Sequence, residues 1–305
     1  MASVDCSYST KGSGPAVFFV HGIGARKTSW NEVCKYLEKD FTCISYDLRG
    51  HGDSSKGVLP YSLEDLANDL ETLRQKLNIQ KIHIVGHSLG GMIGPAYALS
   101  FPENVISVSL LSTAAFRTTE DKNNVRAVAK SMREKGIGPI LTTLTERWFT
   151  DKFIKERSGD VEFRLQQVLE TDSEVFLDVF RIYAETEMSP WLNNIKHPCL
   201  VLTCENDGGC SPRLNHLIAD SLSNSELCIL KNYKHSLLIE APHEVGERVR
   251  EFLLKQSEIN YLGVIKSFDA FIKKMLLSNS GTVLIMSSIA GWIGLPKASA
   301  YAPTK

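Results

Sequence analysis

Apolar and polar positions follow two alternating patterns along the first 255 residues. Short runs of β-branched and aromatic residues predict buried strands, and longer segments with apolar residues at helical spacing separate them. The clearest helix pattern covers residues 62–77 and opens on a serine with an aspartate three positions later, a helix-start signal. The predicted strands are residues 16–20, 41–46, 81–85, 105–111, 199–203 and 226–230. Strands that alternate with helices predict an α/β fold with a mostly parallel sheet and helices on both faces.

The alternation is interrupted between residues 117 and 190. This stretch is charged, has no strand pattern, and carries aromatic residues in "RWFTDKF" and "DVFRIY". The pattern predicts a helical insertion with an aromatic face. Those aromatic side chains either pack helix against helix or contact a substrate.

A second change of pattern follows residue 255. Residues 259–279 have the pattern of one long helix, and residues 281–288, "GTVLIMSS", that of a strand running into a loop. The sequence therefore predicts one domain over residues 1–255 and a separate, partial segment over residues 256–305.

The strongest chemical signal is "GHSLG" at residues 86–90, which fits the G-x-S-x-G pattern. It follows an apolar strand directly and precedes a helix pattern directly. A serine hydroxyl needs a base to become a nucleophile, and it must project clear of the backbone to reach a carbonyl. A tight strand-to-helix turn achieves this projection, and glycines on both sides tolerate its strained backbone. Ser88 is therefore the candidate nucleophile.

An attacking serine also needs donors for the oxyanion that its attack creates. The Leu89 amide lies at the N-terminus of the next helix, where free N–H groups favour negative charge. A second strand ends in "HGIG" and leaves the Ile23 amide free to point toward the same site. These glycines are a poor phosphate cradle, because the third glycine of a nucleotide loop is replaced by Lys27. No nucleotide cofactor is expected here.

The base and its orienting acid come from two later loops. Of the eight histidines, His235 lies in the loop after the last predicted strand of the first domain, which returns it to the sheet edge that displays Ser88. The loop after the preceding strand offers Glu205 and Asp207. Asp207 precedes two glycines and is the preferred acid, whereas Glu205 is interpreted as a structural hydrogen-bonding residue. The chain order Ser88, Asp207, His235 matches this strand-turn-helix architecture.

Charge and composition exclude several classes of partner. The formal net charge is −1 and no long run of like charges occurs, which argues against a nucleic-acid surface or a polybasic membrane anchor. The first fifteen residues have no apolar stretch of the length that a secretory signal needs, and no run reaches the length of a spanning helix. A small-molecule substrate is the expected partner, and the oligomeric state is left open.

The seven cysteines are odd in number and scattered, which predicts reduced thiols and a cytoplasmic protein. Cys204 and Cys210 in "CENDGGC" lack a CxxC pair or a nearby histidine pair that would complete a tetrahedral set. No metal site is expected.

Residues 1 to about 255 resemble the α/β-hydrolase superfamily through "FVHGIG", "YDLRGHGDSS", "VGHSLGG", "CENDGG" and "KHSLLIEAP", and within it the esterase and 3-oxoadipate enol-lactonase-like group. The resemblance implies a helical lid over about residues 117–190 and a serine hydrolase that cleaves a small carboxylic ester or lactone. Carbon–carbon bond cleavage occurs on the same scaffold. A receptor that keeps the triad but binds small molecules without turnover is an alternative.

Residues 258–305 resemble the central piece of a short-chain dehydrogenase/reductase. Asn260, Ser288, Tyr301 and Lys305 match the spacing of that family's catalytic residues. The glycine-rich nucleotide unit that should precede them is replaced by the hydrolase-like domain. The segment is therefore interpreted as an incomplete Rossmann-like remnant that is catalytically silent. The alternative is a bifunctional hydrolase-reductase whose sequence is truncated here.

Overall fold

The computed structural model describes residues 4–257, and within them seven strands form one sheet in the order β1-β3-β2-β4-β5-β6-β7. Every neighbouring pair is parallel except β1 and β3, which are antiparallel. The strands are β1 (Tyr8–Lys11), β2 (Ala16–Val20), β3 (Thr42–Tyr46), β4 (Ile82–His87), β5 (Val105–Leu111), β6 (Cys199–Cys204) and β7 (Ser225–Leu230). The expected mostly parallel sheet is confirmed.

Helices cover the sheet and fill its connections. They are α1 (Asn31–Leu37), α2 (Leu63–Lys76), α3 (Gly90–Ser100), α4 (Thr119–Lys135), α5 (Leu141–Trp148), α6 (Asp151–Glu156), α7 (Ser158–Glu170), α8 (Ser173–Glu185), α9 (Pro212–Ser221) and α10 (Leu237–Glu240), followed by α11 over residues 242–257. No helix among residues 4–257 combines the length and the apolar character needed to cross a bilayer.

Strand β2 shows how the sheet acquires a core on each face. All five of its residues are buried, because successive side chains point to opposite faces and both faces are covered. Phe18 lies in a core that includes residues of α2 and α3, whereas Phe19 lies in a second core with residues of α1 and α11. The continuous apolar run of "AVFFV" is the sequence signature of this double burial.

Five helices, α4 to α8, lie between β5 and β6 and are called the lid below. They have a small core of their own, formed by Met132, Leu141, Leu144, Val168, Phe176, Phe180 and Ala184. The two ends of the lid meet: the Arg117 guanidinium donates hydrogen bonds to the carbonyls of Tyr183 (2.9 Å) and Thr186 (3.3 Å). The Glu187 carboxylate accepts from the amide of Phe116 at 2.8 Å.

The predicted reductase-like segment lies outside the described residues. This applies to the helix pattern at residues 259–279, to the strand pattern at residues 281–288, and to the matched residues Asn260, Ser288, Tyr301 and Lys305. The interpretation of that segment therefore stays a prediction from sequence.

Candidate active site

Ser88 lies in a strained turn between β4 and α3. Its backbone φ is 56°, in the left-handed region that non-glycine residues rarely adopt. Gly86 permits this turn, since a Cβ at that position would overlap the carbonyl group of Gly90. The Ser88 amide donates to the Leu111 carbonyl at 2.9 Å, and the Thr113 hydroxyl donates to the Ser88 carbonyl at 2.9 Å. Both peptide groups of Ser88 are thus fixed by the neighbouring strand and its following loop.

His235 lies between Ser88 and Asp207. Its Nδ1 is 2.7 Å from Asp207 Oδ2, and its Nε2 is 3.2 Å from Ser88 Oγ. A carboxylate can only accept, so Nδ1 carries the proton and Nε2 is free to accept from the serine hydroxyl. The other Asp207 oxygen accepts from the amides of Gly209 (3.0 Å) and Cys210 (2.8 Å). The structure therefore brings together the three residues singled out in the sequence as nucleophile, base and acid.

Burial and charge shift the pKa values of Asp207 and His235 in opposite directions. Burial alone would raise the pKa of Asp207, but His235 and the Cys210 amide bring that pKa below its usual value. Burial alone would lower the pKa of His235, but the Asp207 carboxylate outweighs burial and raises it above the usual 6.5. Each group therefore stabilises the charged form of the other.

The two proposed oxyanion donors have free amides. Neither the Ile23 nor the Leu89 N–H donates to another group within residues 4–257. Leu89 immediately precedes α3, which begins without a side-chain cap. Ile23 lies in the turn after β2 and lines the same cavity as Ser88. Both amides are thus available to a ligand beside the Ser88 hydroxyl.

The polar residues around the three central side chains have separate roles. His87, adjacent to Ser88, donates from Nε2 to the His235 carbonyl at 3.0 Å, and burial lowers its pKa to about 3. His87 is therefore neutral, and its hydrogen bond supports the loop that carries His235. Glu205, the alternative acid, instead accepts from the amide of Asn232 at 3.2 Å. This contact fits its interpretation as a structural residue.

Arg164 is a charged cavity residue that the sequence analysis did not single out. It is 8% exposed and belongs to helix α7 of the lid. Val161, Arg164 and Val168 are spaced by three and four residues, so the arginine lies on the buried face of α7 together with two valines and Gln167. A cation on the buried face of an amphipathic helix is the signal that could have identified it.

Asp207, Cys210 and His235 also present one oxygen, one sulfur and one nitrogen atom within 4.8 Å of one another. These are ligand types that Zn²⁺ accepts. A metal ion bound to all three would compete with the hydrogen bond between Asp207 and His235. The set is therefore better suited to orienting the imidazole than to holding a resident ion.

The seven cysteines, all within the described residues, are free, and six are buried.

A cavity of about 120 Å³ opens onto Ser88 and His235. The lid supplies most of its apolar wall, and α10 and the loop after β2 supply the remainder. The apolar residues of the wall are Ile23, Ala25, Val125, Val128, Leu144, Trp148, Phe176, Phe180, Leu238 and Ile239. Phe180, from "DVFRIY", lies both in this wall and in the core of the lid, which fits the helix-packing interpretation, whereas contact with a substrate stays a prediction.

Comparisons with known proteins identify the fold family of this chain. The profile of the alpha/beta hydrolase fold family matches residues 15–171, more than half of the chain. The chain is 29% identical to 3-oxoadipate enol-lactonase 2 of Acinetobacter baylyi over 248 residues, which is 81% of this chain and 92% of that protein. It is 25% identical to a monoacylglycerol lipase of Bos taurus over 262 residues, 79% of this chain and 76% of the lipase.

Two solved structures share the architecture. A thermophilic esterase from Thermogutta terrifontis superposes with a TM-score of 0.76 at 26% identity, over 83% of this chain and 94% of the esterase. An enol-lactonase from Burkholderia xenovorans superposes with a TM-score of 0.77 at 24% identity, over 82% of this chain and 97% of that one. The second similarity concerns the fold alone.

Proposed function

Because this chain belongs to the α/β-hydrolase fold family, we propose that it is a serine hydrolase that cleaves a small carboxylic ester or lactone through an acyl-enzyme. Its enol-lactonase and esterase relatives support a hydrolase of the ester or lactone type. The observation that carries the serine mechanism is the continuous hydrogen-bonded line from Ser88 Oγ through His235 to Asp207.

In the acylation step, the Ser88 hydroxyl attacks the carbonyl carbon and His235 Nε2 takes its proton. Asp207 holds the imidazole in the tautomer that can accept and stabilises the imidazolium that forms. The amides of Ile23 and Leu89 donate to the oxygen that becomes negative. His235 then returns its proton to the leaving alkoxide, and an ester of Ser88 remains.

In the deacylation step, His235 takes a proton from water and the resulting hydroxide attacks the acyl carbon. The same two amides stabilise the second tetrahedral intermediate, and collapse returns the proton to Ser88. A lactone follows the same path, except that its leaving alkoxide stays attached to the acyl group. The apolar wall of the cavity favours an apolar acyl group.

The test is covalent labelling of the purified chain with a fluorescent fluorophosphonate, followed by peptide mapping. We expect the label on Ser88, and we expect Ser88→Ala to abolish both labelling and the hydrolysis of short p-nitrophenyl esters. Loss of the nucleophile should lower kcat by about 10⁶-fold. Ser223→Ala, at an exposed serine outside the cavity, is the matched control and should label fully. Turnover by Ser88→Ala close to that of the wild type would refute the mechanism.

A further inference from the structure

The loop at residues 23–25 has almost every backbone polar group engaged. The Gly24 amide donates to His51 Nε2 at 3.2 Å, and the Ala25 amide donates to the Gly22 carbonyl at 3.2 Å. The carbonyl of Ala25 accepts from a guanidinium, as do those of Ile23 and Gly24. Of this loop's polar groups, the Ile23 N–H alone has no hydrogen-bond partner among residues 4–257. The loop thus leaves one amide for a ligand, and that amide belongs to a residue that lines the cavity.

Arg164 holds the middle of this loop from the lid. Its two terminal nitrogens donate to two successive carbonyls, those of Gly24 (2.7 Å) and Ile23 (2.8 Å). The peptide group between these residues is therefore fixed at both ends, by Arg164 at its oxygen and by His51 at its nitrogen. Only a planar guanidinium can bind two neighbouring carbonyls in this forked way.

Burial of the charged Arg164 side chain is unfavourable in free energy. The side chain is buried, and its hydrogen bonds within the described residues go to backbone carbonyls rather than to a carboxylate. Its guanidinium carbon lies 4.9 Å from the centre of the Trp148 ring, which provides a cation–π contact. Burial and the nearby Arg26 lower the pKa of Arg164 to about 9. Arg164 also lines the cavity that contains Ser88 and His235.

The lid also contacts the loop through van der Waals packing. Gly24 has a φ of +61°, and a Cβ there would lie 2.7 Å from the ring of Phe176 and 3.3 Å from Val168. Both of these residues belong to the lid. The loop that presents Ile23 is therefore seated against the lid and is not supported by the sheet alone.

We propose that Arg164 is a positioning residue, which fixes the Ile23 amide in the oxyanion site and makes that site depend on the seated lid. The proposal rests on the serine hydrolase mechanism given above. Arg164 does not touch the reacting atoms. It acts through the peptide group that follows the donor amide.

The test compares Arg164→Met, Arg164→Lys and wild type with p-nitrophenyl esters and with an alkyl trifluoromethyl ketone, whose adduct with Ser88 places an oxyanion in the same position. For Arg164→Met we expect kcat/KM to fall by about 10²-fold, through kcat, with KM little changed. Inhibition by the ketone should weaken by the same factor. Arg164→Lys should fall between, because it keeps the charge but not the fork. Arg157→Met, at an exposed arginine of the lid outside the cavity, should match wild type.

Rescue and ground-state binding provide the decisive outcomes. If Arg164→Ala regains turnover in non-denaturing guanidinium chloride but not in sodium chloride, the positioning role is supported even where that variant is less stable. If Arg164→Met raises KM and leaves kcat and ketone affinity unchanged, the arginine binds substrate and the proposal is overturned. Wild-type rates in Arg164→Met would overturn it too. Full turnover by Ser88→Ala would instead refute the serine mechanism, which separates the two failures.

Discussion

At the scale of single residues, the hydrogen bond between His235 and Asp207 sets the proton balance of the site. Asp207 stays ionised because its pKa is lowered, and His235 holds its proton more firmly because its pKa is raised. Only the neutral imidazole can accept a proton from Ser88. Under the proposed serine mechanism, the rate therefore depends on the neutral fraction of His235.

We expect kcat/KM to rise with pH as His235 loses its proton. The midpoint of this rise should lie above 6.5, the pKa of an isolated imidazole. Asp207→Asn removes the charge that raises this pKa, so the midpoint should move to lower pH. The same change allows the wrong tautomer and should lower kcat by about 10⁴-fold. A pH-rate profile of each variant measures both effects. Glu205→Gln is the control and should keep the wild-type midpoint; a shift there would reassign the acid.

Three candidate site residues could be predicted from the sequence beside them, and the structure brings these three together. The flanking glycines indicate Ser88, and the positions directly after strands indicate Asp207 and His235. Arg164 and His51 were not assigned to the site, because their contribution is a contact across 140 and 27 residues of chain. Nothing next to either residue in the sequence encodes the carbonyl or amide that it binds.

At the scale of elements, two neighbouring helices begin in opposite ways. The side chain of Ser62 accepts from the Asp65 amide at the start of α2, and the Asp65 carboxylate accepts from the Ser62 amide in return. Helix α3 follows Leu89 with no side-chain cap. The first helix therefore satisfies its end groups internally, whereas the second leaves an amide for a ligand.

Removal of the α2 cap should affect stability without affecting catalysis. Ser62→Ala loses the reciprocal hydrogen bonds and should lower the free energy of unfolding by about 1 kcal/mol, with kcat/KM unchanged. Urea denaturation followed by circular dichroism measures the change. Ser100→Ala, at an exposed position at the end of α3, is the control. An equal loss in both variants would show that the cap contributes nothing specific.

The elements that sequence predicted best are those with an apolar run. All six predicted strands are present, whereas β1, "YSTK", was missed because it is a short, largely exposed edge strand of polar residues. The five helices of the lid were expected only as a helical region. Their separate boundaries depend on packing against one another, which a charged sequence without a strong period does not reveal.

At the scale of the whole molecule, one buried ion pair joins three parts of the chain. Arg49, in the loop after β3, binds Asp69 of α2 through two hydrogen bonds of 2.6 and 2.7 Å. The Val4 amide donates to the same carboxylate at 3.0 Å. Both side chains are at most 2% exposed. The loss of one partner would leave the other charge buried and unpaired.

Arg49→Met should lower the free energy of unfolding by about 3–5 kcal/mol, because Asp69 then keeps a buried charge without its cation. The double variant Arg49→Met/Asp69→Leu should recover part of this loss. The exposed pair between Arg250 and Asp40 is the control, and Arg250→Met should cost about 1 kcal/mol or less. Urea titrations of the four proteins decide the matter. Equal costs for the buried and the exposed arginine would contradict this account.

Because the two ends of the lid meet at Arg117, the lid can change in sequence and length with little effect on the sheet. A segment that leaves and re-enters its host at one point can be exchanged or lengthened while the host strands keep their spacing, since only one closed loop is altered. Under the proposed function, the part of the cavity wall that the lid supplies can then change while Ser88, Asp207 and His235 keep their places. Under the proposed role of Arg164, an exchanged lid would also need an arginine that binds the carbonyls of Ile23 and Gly24. A lid of the right shape without that arginine would leave the Ile23 amide unsupported.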